Sequence, residues 1–254
     1  MLLENKVILV VGAGGLLGRE IVQALVLEGG RVIAADTNLE SVESLADELG
    51  RESVLPVRID ITDKRSIEHV FYAAEEAWQQ VTGAVNTAYP RNKAYGRKAL
   101  DVTYEDFCEN VGLHLGGYFL FMQQCAAYSK KRNAAFSLVN MSSVYGSIAP
   151  KFDIYADTNM TMPVEYAAIK SAVQHTTRYF NAFMKGGEFR ANCVSPGGIE
   201  DGQPESFLQA YRDKSRVKGM LDGTSISGTV CYLLSDLSRY VVAQNIVVDD
   251  GFSN

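Results

Sequence analysis

Short apolar runs and helical patterns alternate along this chain from its first residues. The run at 6–11 (KVILVV) is rich in β-branched residues and stops at Gly12, which is typical of a strand buried on both faces. Further strands are predicted at 31–35, 54–59, 83–87, 135–141 and 245–248, with helices at 39–49, about 64–80, 103–130, 202–216 and 223–234. This alternation predicts an α/β fold, in which a doubly wound parallel sheet carries helices on both faces. In such a sheet, ligands bind at the carboxyl ends of the strands where the winding direction reverses.

The composition is that of an ordinary globular chain. It has 254 residues, of which 47% are hydrophobic and 21% charged, and no segment resembles a linker. One domain over residues 1–254 is therefore predicted. The net charge of −6 argues against a general nucleic-acid or membrane-surface function. Because the N-terminus lacks the features of a signal peptide and no stretch is long enough to span a membrane, a cytoplasmic protein is predicted.

The cysteines give no sign of a disulfide framework or a metal site. Cys108, Cys125, Cys193 and Cys231 are far apart, without a CxxC pair or a histidine cluster. They are predicted to be buried thiols in a reducing compartment, and no metal is expected.

A glycine-rich turn follows the first predicted strand and leads into a helical pattern that carries Ile21, Leu25 and Val26. In this context, backbone N–H groups approach phosphates and a dinucleotide pyrophosphate rests on the helix N-terminus. The candidate pyrophosphate-binding residues are Gly12, Gly14, Gly15, Leu16, Leu17 and Gly18.

Asp36 follows the second predicted strand, at about the spacing expected for a carboxylate that accepts from an adenosine ribose hydroxyl. Alternatively, Asp36 caps the next helix. A capping box of Thr37 with Glu40 would leave the Asp36 side chain free. Its carboxylate would repel a 2′-phosphate, and neither Thr37 nor Asn38 offers a cation to bind one, so NAD is predicted in preference to NADP.

Tyr166 and Lys170 lie four residues apart in a helical pattern and therefore share one helix face. For a phenol of pKa roughly 10 to act near neutral pH, the pKa must fall by about three units, or about 4 kcal/mol. The ammonium favours the phenolate, and a positively charged nicotinamide ring would add to this effect. Alternatively, the pair is a core tyrosine beside a solvated lysine. Ser143 follows strand 135–141, so its hydroxyl can point into the same crevice.

Seven motifs occur along the chain in the order that is typical of the short-chain dehydrogenase/reductase family. The chain resembles this family over essentially its whole length. The motifs are the glycine turn, Asp36, Asp60, the segment Asn86-Thr87-Ala88-Tyr89, Ser143, Tyr166-x-x-x-Lys170 and Ser195-Pro196-Gly197-Gly198. The resemblance implies a single-domain Rossmann-type fold of about seven strands, in a homodimer or homotetramer.

The resemblance also implies roles for individual residues. Tyr166 would exchange a proton with the substrate, Lys170 would hold the nicotinamide ribose and lower the pKa of the tyrosine, and Ser143 would polarise the substrate oxygen. Asp60 is then expected at the adenine and Asn86 at the adenosine ribose. Gly197 and Ile199 are expected beside the carboxamide. The remaining candidate cofactor-binding residues are Thr37, Ile61, Ala88 and Pro196.

Three departures from the family pattern bear on these roles. Leu16 occupies the middle glycine of Gly-x-x-x-Gly-x-Gly, so the glycines fit instead the Gly-x-x-Gly-x-x-Gly spacing of the longer, sugar-nucleotide-modifying branch. Thr87 and Tyr89 replace an asparagine and a glycine. His114 aligns with the asparagine that anchors a water relay to the lysine, while Asn110 lies one turn earlier on the same face. His114 is a candidate catalytic residue because neutral imidazole also holds water, or else it is a satisfied core histidine.

Two predicted loops and a cationic segment border the expected substrate site. The loop at 147–165 carries polar residues that could pair with hydroxyls: Asp153, Tyr155, Asp157, Asn159 and Thr161. The segment 197–219 is predicted to hold a mobile lid, with Gln203, Glu205 and Arg212 as possible contacts. Between 91 and 98 stand four cations, Arg91, Lys93, Arg97 and Lys98. They form either a solvated loop or a reader of an anionic substrate group.

The predicted function is an NAD-dependent oxidoreductase that interconverts a hydroxyl and a carbonyl on a polar small molecule. The substrate is expected to be sugar-like, a sugar phosphate or a nucleotide sugar, because the 147–165 insertion and the AYPRN segment are similar to oxidoreductases of flagellin modification in surface-sugar pathways. One alternative is a sugar epimerase or dehydratase with tightly held NAD. Another is a non-catalytic member that binds cofactor as a sensor or scaffold.

Overall fold

The computed structural model describes all residues from 1 to 254 and contains one seven-stranded sheet. The strands are β1 (Val7–Val11), β2 (Arg31–Asp36), β3 (Val54–Arg58), β4 (Gly83–Asn86), β5 (Phe136–Met141), β6 (Phe189–Pro196) and β7 (Asn245–Val248). Every neighbouring pair is parallel, in the order β3-β2-β1-β4-β5-β6-β7. The winding direction reverses between β1 and β4, where Val11 pairs with Asn86. The predicted doubly wound α/β fold is confirmed.

Eight α-helices flank the sheet. They are α1 (Leu16–Leu27), α2 (Leu39–Leu49), α3 (Lys64–Trp78), α4 (Tyr104–Asn110), α5 (Gly116–Arg132), α6 (Val164–Phe183), α7 (Glu205–Arg212) and α8 (Thr224–Leu234). A π-helical stretch, Val111–Leu115, joins α4 to α5, so the single helix predicted at 103–130 is continuous but changes its hydrogen-bonding pattern midway. The predicted lid helix at 202–216 is shorter, and strand β6 had no predicted range of its own.

The core has one layer on each face of the sheet and a third at its carboxyl edge. One layer packs α3, α5 and α6 against the sheet, and the other packs α1, α2 and α8. The third cluster comprises Val144, Tyr145, Ile154, Tyr155, Phe207, Tyr211, Met220 and Phe252. These residues come from the segments after β5, β6 and β7, so burial of their apolar surface fixes loops that the sheet alone would leave free.

Two local predictions were wrong. Helix α2 begins after Asn38 without a side-chain cap, so the capping box of Thr37 with Glu40 does not form. Instead, Asp36 Oδ1 accepts a hydrogen bond from the Asn38 backbone N–H at 3.0 Å. Among the cysteines, Cys125, Cys193 and Cys231 are buried as predicted, but Cys108 is exposed. None of the helices combines the length and apolar composition needed to cross a membrane.

Candidate active site

Ser143, Tyr166 and Lys170 converge on one cleft of about 350 Å³ at the carboxyl edge of the sheet. Ser143 follows β5, whereas Tyr166 and Lys170 lie on successive turns of α6. Residues four apart on a helix share a face, and α6 packs beside the end of β5, so the three side chains meet although they are distant in sequence. The predicted convergence of these side chains is present in the structure.

Lys170 is held at the base of the cleft by backbone and side-chain contacts. Its Nζ donates to the Met141 carbonyl at 2.8 Å and lies 3.4 Å from His114 Nε2. Tyr118 Oη donates to the same carbonyl at 3.3 Å, which helps to fix it. Burial lowers the pKa of the Lys170 ammonium to about 7. The side chain therefore can gain or lose its proton near neutral pH.

Two opposing influences act on the pKa of Tyr166. Burial raises the pKa of its phenol, and a hydrogen bond with the Ser143 hydroxyl acts in the opposite direction. The Lys170 ammonium lies 5.5 Å from the Tyr166 ring centroid. The role of Lys170 and a bound nicotinamide in lowering the phenol pKa stays a prediction, and burial acts against it in this geometry.

His114 and Asn110 occupy different environments. Asn110 is buried, donates to Glu165 Oε1 at 3.2 Å and accepts from the Asn92 backbone N–H at 2.9 Å, so its amide is already used. His114 lies in the π-helical stretch, with Nε2 toward Lys170 and a buried Nδ1 that has no protein partner. A buried unpaired nitrogen of this kind is a place for an ordered water. Of the two residues, His114 is therefore the one in contact with the lysine.

Replacement of His114 by Asn should make the protein less sensitive to acid. Burial, together with the charges of Lys170 and Arg91, lowers the pKa of His114 to about 2. The unfolded chain protonates this side chain below its ordinary pKa of about 6.5, while the folded chain does not, so the free energy of unfolding falls by about 1.4 kcal/mol per pH unit below that value. The variant should lack this component of the slope.

Urea unfolding at pH 7.5, 5.5 and 4.5 measures the difference. The matched control is His69→Asn, because His69 is exposed and should leave the slope unchanged. Equal pH slopes for wild type and His114→Asn would contradict the prediction.

The glycine turn is shaped by backbone that approaches too closely for side chains. Gly12 has a φ of +77°, and a Cβ there would lie 2.9 Å from the Ala88 nitrogen. A Cβ on Gly18 would lie 2.0 Å from the Gly12 carbonyl oxygen. Gly15 immediately precedes α1, and exposed Leu16 opens the helix. The turn therefore brings a helix N-terminus to the edge of the sheet, where an anionic group can bind.

Asp36 lines a cavity of about 290 Å³ on the other side of the glycine turn. Its Oδ2 accepts from the Gly14 backbone N–H at 3.0 Å, and its Oδ1 accepts from that of Asn38. The prediction that the Asp36 side chain is free of protein partners was therefore wrong. Oδ1 also accepts from the Thr37 hydroxyl at 3.3 Å, so Oδ2 is the oxygen with a lone pair left for a further donor. The other residues lining the cavity are Val11, Gly12, Thr37, Ile59, Asp60, Ile61, Ala88, Tyr89 and Pro90. No cation lines it.

The remaining cofactor candidates border one cavity or the other. Leu17, Pro196, Gly197 and Ile199 line the cleft with the catalytic candidates, whereas Thr37, Asp60, Ile61 and Ala88 line the smaller cavity. Asn86 lies between them at the end of β4. Its Oδ1 accepts from the Ala88 N–H at 3.1 Å, and its buried Nδ2 has no protein partner.

One wall of the cleft is aromatic and thioether-rich, and this wall was not predicted from the sequence. It is formed by Tyr145, Tyr155, Met160, Met162, Phe207, Tyr211 and Met220. Tyr211 Oη accepts from the Gly198 N–H at 2.6 Å, and its ring stacks on Phe252 at 4.0 Å. The lid helix is thereby packed onto the turn after β6. The apolar face of the short α7 was the one available signal for this wall.

Only some of the residues that were predicted to contact the substrate face the cleft. Tyr155, Thr161 and Gln203 line it, but Asp153 pairs with Lys214 at 2.7 Å on the surface. The other predicted contacts are exposed side chains outside the lining: Asp157, Asn159, Glu205 and Arg212. In the cationic segment, Arg97 pairs with Asp106 at 2.7 Å, and Arg91 lies over the Tyr89 ring.

Comparison with known proteins finds one matching family model and relatives of similar length. A family model described as enoyl-(acyl carrier protein) reductase matches residues 12–253. Post-translational flagellin modification protein A of Campylobacter coli is 38% identical over 255 residues, covering 99% of each chain. The 3-oxoacyl-[acyl-carrier-protein] reductase FabG of Thermotoga maritima is 31% identical, again with 99% of each chain covered.

A solved structure is similar over nearly the whole fold. The short chain dehydrogenase from Leptospira borgpetersenii, crystallised with bound NAD⁺, superposes with a TM-score of 0.87 at 29% identity. The match covers 99% of this chain and 94% of that one.

Proposed function

Since the chain belongs to the short-chain dehydrogenase/reductase family, we propose that it is an NAD-dependent oxidoreductase that interconverts a hydroxyl and a carbonyl on a sugar-like ring. The observation that carries the proposal is the convergence of Ser143, Tyr166 and Lys170 on one cleft beside the glycine turn. A phenol, an alcohol and an amine at the carboxyl edge of a parallel sheet suit proton transfer at a substrate oxygen.

The residues present fit a dinucleotide cofactor. The close backbone approach at Gly12 and Gly18 leaves the start of α1 open to a pyrophosphate, and the orphaned Asn86 Nδ2 offers a donor between the two cavities. Asp36 would accept from the adenosine ribose, and Asp60 and Ile61 would border the adenine. Pro196, Gly197 and Ile199 would border the nicotinamide. A bound nicotinamide supplies the hydride acceptor or donor of the reaction.

The roles of the side chains follow from their contacts. Tyr166 would give its Oη proton to a carbonyl oxygen, or take the proton of a hydroxyl, while the Ser143 hydroxyl holds the same oxygen. Lys170 would replace the proton of Tyr166 and hold the nicotinamide ribose. With its pKa near 7, Lys170 can both release and recover a proton at working pH. His114 would hold a water behind Lys170.

The lining of the cleft supports a ring substrate. Tyr145, Tyr155 and Phe207 offer aromatic surface to the apolar C–H face of a sugar, and Thr161 offers a hydroxyl to its hydroxyls. The Gln203 amide already bonds the backbone of Asp201 and Ile199. A part for this substrate in flagellin modification agrees with the name of the Campylobacter coli relative.

A substrate screen tests the proposal. Neutral sugars, sugar phosphates and nucleotide sugars are incubated with NAD or NADP, and NADH or NADPH absorbance is followed. The expected result is turnover of at least one sugar with NAD preferred. Product formation without any net absorbance change would point instead to an epimerase or dehydratase that retains its NAD.

We further propose that the protein is a homodimer or homotetramer through the outer faces of α4, α5 and α6. Tyr104, Phe119, Tyr179 and Phe183 are exposed there, and the rings of Tyr179 and Phe183 stack. Large exposed aromatic surface of this kind is typical of a subunit interface.

Charge placed on this face should dissociate the subunits. The variant Tyr179→Glu/Phe183→Glu is expected to have a lower mass by light scattering than the wild type. The control is Tyr72→Glu, which alters an exposed tyrosine on α3 instead. An unchanged mass for the double variant would contradict this interface.

A further inference from the structure

We propose that Arg91 binds an anionic group, a phosphate or a carboxylate, on the ring substrate, and that Tyr89 is the platform that holds it beside the catalytic tyrosine. The inference deepens the proposed function and rests on it. It assigns the binding of the anionic group to Arg91 and not to the other three cations of the 91–98 segment. The sequence alone could not distinguish among the four.

The first support is position. The Tyr89 ring lines the cleft, and its centroid lies 5.7 Å from that of Tyr166 in an edge-to-face contact. The guanidinium of Arg91 lies over the Tyr89 ring, 4.6 Å from the centroid. A single aromatic ring therefore separates Arg91 from Tyr166. A substrate that reacts at Tyr166 and is one sugar ring across would bring a substituent on its far side to the guanidinium.

The second support is that the charge of Arg91 is not paired with a carboxylate of the chain. Arg91 forms no ion pair and donates no hydrogen bond within the chain, whereas Arg97 is paired with Asp106 at 2.7 Å. Among the residues lining the cleft, only Lys170 carries a charge, and its Nζ is directed at the Met141 carbonyl. An anionic substituent thus has no cationic partner inside the cleft except the catalytic lysine. Arg91 lines neither cavity, but from its position over the Tyr89 ring it offers five N–H donors in a fork that matches phosphate and carboxylate.

The third support is rigidity. Asn92 is tied to the helix behind it, because its backbone N–H donates to Asn110 Oδ1 at 2.9 Å and its Nδ2 donates to Glu109 Oε2 at 2.7 Å. Asn110 in turn donates to Glu165, the residue before Tyr166. The backbone that carries Arg91 is therefore linked to the start of α6 by two buried side chains. A charged group on fixed backbone loses less entropy on binding than one on a free loop.

The charge of Arg91 also reaches the buried part of the site. It is one of the causes that lower the pKa of His114, after burial and Lys170. A guanidinium directed away into solvent would be screened from His114. This electrostatic coupling agrees with a guanidinium held near the cleft.

The test uses equilibrium binding, so that it does not depend on finding the natural substrate. In the Tyr166→Phe protein loaded with NADH, binding of glucose, glucose 6-phosphate and glucuronate is measured by the change in NADH fluorescence. The two anionic sugars should bind at least about tenfold more tightly than glucose, since hydrogen bonds to charged groups contribute this much or more. Comparison of the phosphate with the carboxylate identifies which oxyanion is preferred.

The same measurement on Tyr166→Phe/Arg91→Gln should remove the preference and leave glucose binding and NADH binding unchanged. Arg91→Lys should keep part of the preference, and the matched control Arg97→Gln should keep all of it. Raised salt should weaken only the anionic sugars. Equal affinity for glucose and the two anionic sugars in the Tyr166→Phe protein, which retains Arg91, would overturn the inference.

The outcomes also separate this inference from the proposed function. If the wild type oxidises neutral sugars through Tyr166 but Arg91→Gln changes nothing, the oxidoreductase stands and the role of Arg91 fails. If anionic sugars bind through Arg91 but no substrate exchanges hydride, the role of Arg91 stands and the oxidoreductase fails. If Arg91→Gln weakens NADH binding instead, Arg91 serves the cofactor and the inference is overturned.

Discussion

Tyr166→Phe should lower kcat by about 10³-fold, because it removes the phenol proposed to move a proton at the substrate oxygen. The ring remains, so its edge-to-face contact with Tyr89 is kept and the fold should be intact. NADH binding should change by no more than about twofold, since the lost hydroxyl is not needed to hold the pyrophosphate or the adenosine. Steady-state kinetics and NADH fluorescence titration measure the two quantities.

Tyr155→Phe is the matched control for this result. Its hydroxyl also faces the cleft and lies 3.4 Å from that of Tyr145, but it has no contact with Lys170. Loss of this hydroxyl should alter KM for the substrate by less than about tenfold and leave kcat nearly unchanged. If Tyr166→Phe and Tyr155→Phe had the same small effect, Tyr166 could not be the acid–base group.

The second large effect is expected at Asp36. Asp36→Ser removes the carboxylate that would face the adenosine ribose, and with it the repulsion of a 2′-phosphate. The ratio of kcat/KM for NADH to that for NADPH should fall by about 100-fold, which corresponds to about 2.7 kcal/mol. Part of the fall comes from weaker NADH binding, because Gly14 and Asn38 lose the carboxylate that accepts from their backbone N–H groups.

Two further variants separate charge from loop geometry. Asp36→Asn keeps an acceptor for the backbone N–H groups but removes the charge, so it should relax the preference while leaving NADH binding closer to that of the wild type. Asp63→Asn removes a carboxylate that caps α3 and does not line the cavity, and it should leave the ratio unchanged. A wild type that prefers NADPH would contradict the assignment of NAD directly.

The parts of the fold that could be predicted depend on short stretches of sequence. An apolar β-branched run followed by glycines, as at β1, fixes a buried strand and a turn without help from the rest of the chain. The alternation of strands and helices then predicts a parallel sheet whose winding reverses, and the structure has that reversal where Val11 pairs with Asn86. Tyr166 and Lys170 were found for the same reason, since a four-residue spacing on a helix is local.

What could not be predicted depends on contacts between distant segments. Phe207, Tyr211 and Phe252 meet the loop after β5 only in the folded chain, so the aromatic wall has no counterpart in any one stretch of sequence. The burial that raises the pKa of Tyr166 is likewise a property of the whole site and not of one stretch of sequence. Arg91 and Arg97 look alike in sequence, and only the position of Asp106 distinguishes them.

The π-helical stretch at Val111–Leu115 has a consequence for protein engineering. A π turn contains about one residue more than an α turn, so deletion of a single residue there would convert the stretch to a regular α-helix while α4 and α5 keep their orientations. Side chains within the stretch would change direction, so His114 would leave Lys170 although neither residue had been removed. One-residue deletions within this segment are therefore a way to move His114 away from Lys170 while Asn110 keeps its hydrogen bond to Glu165.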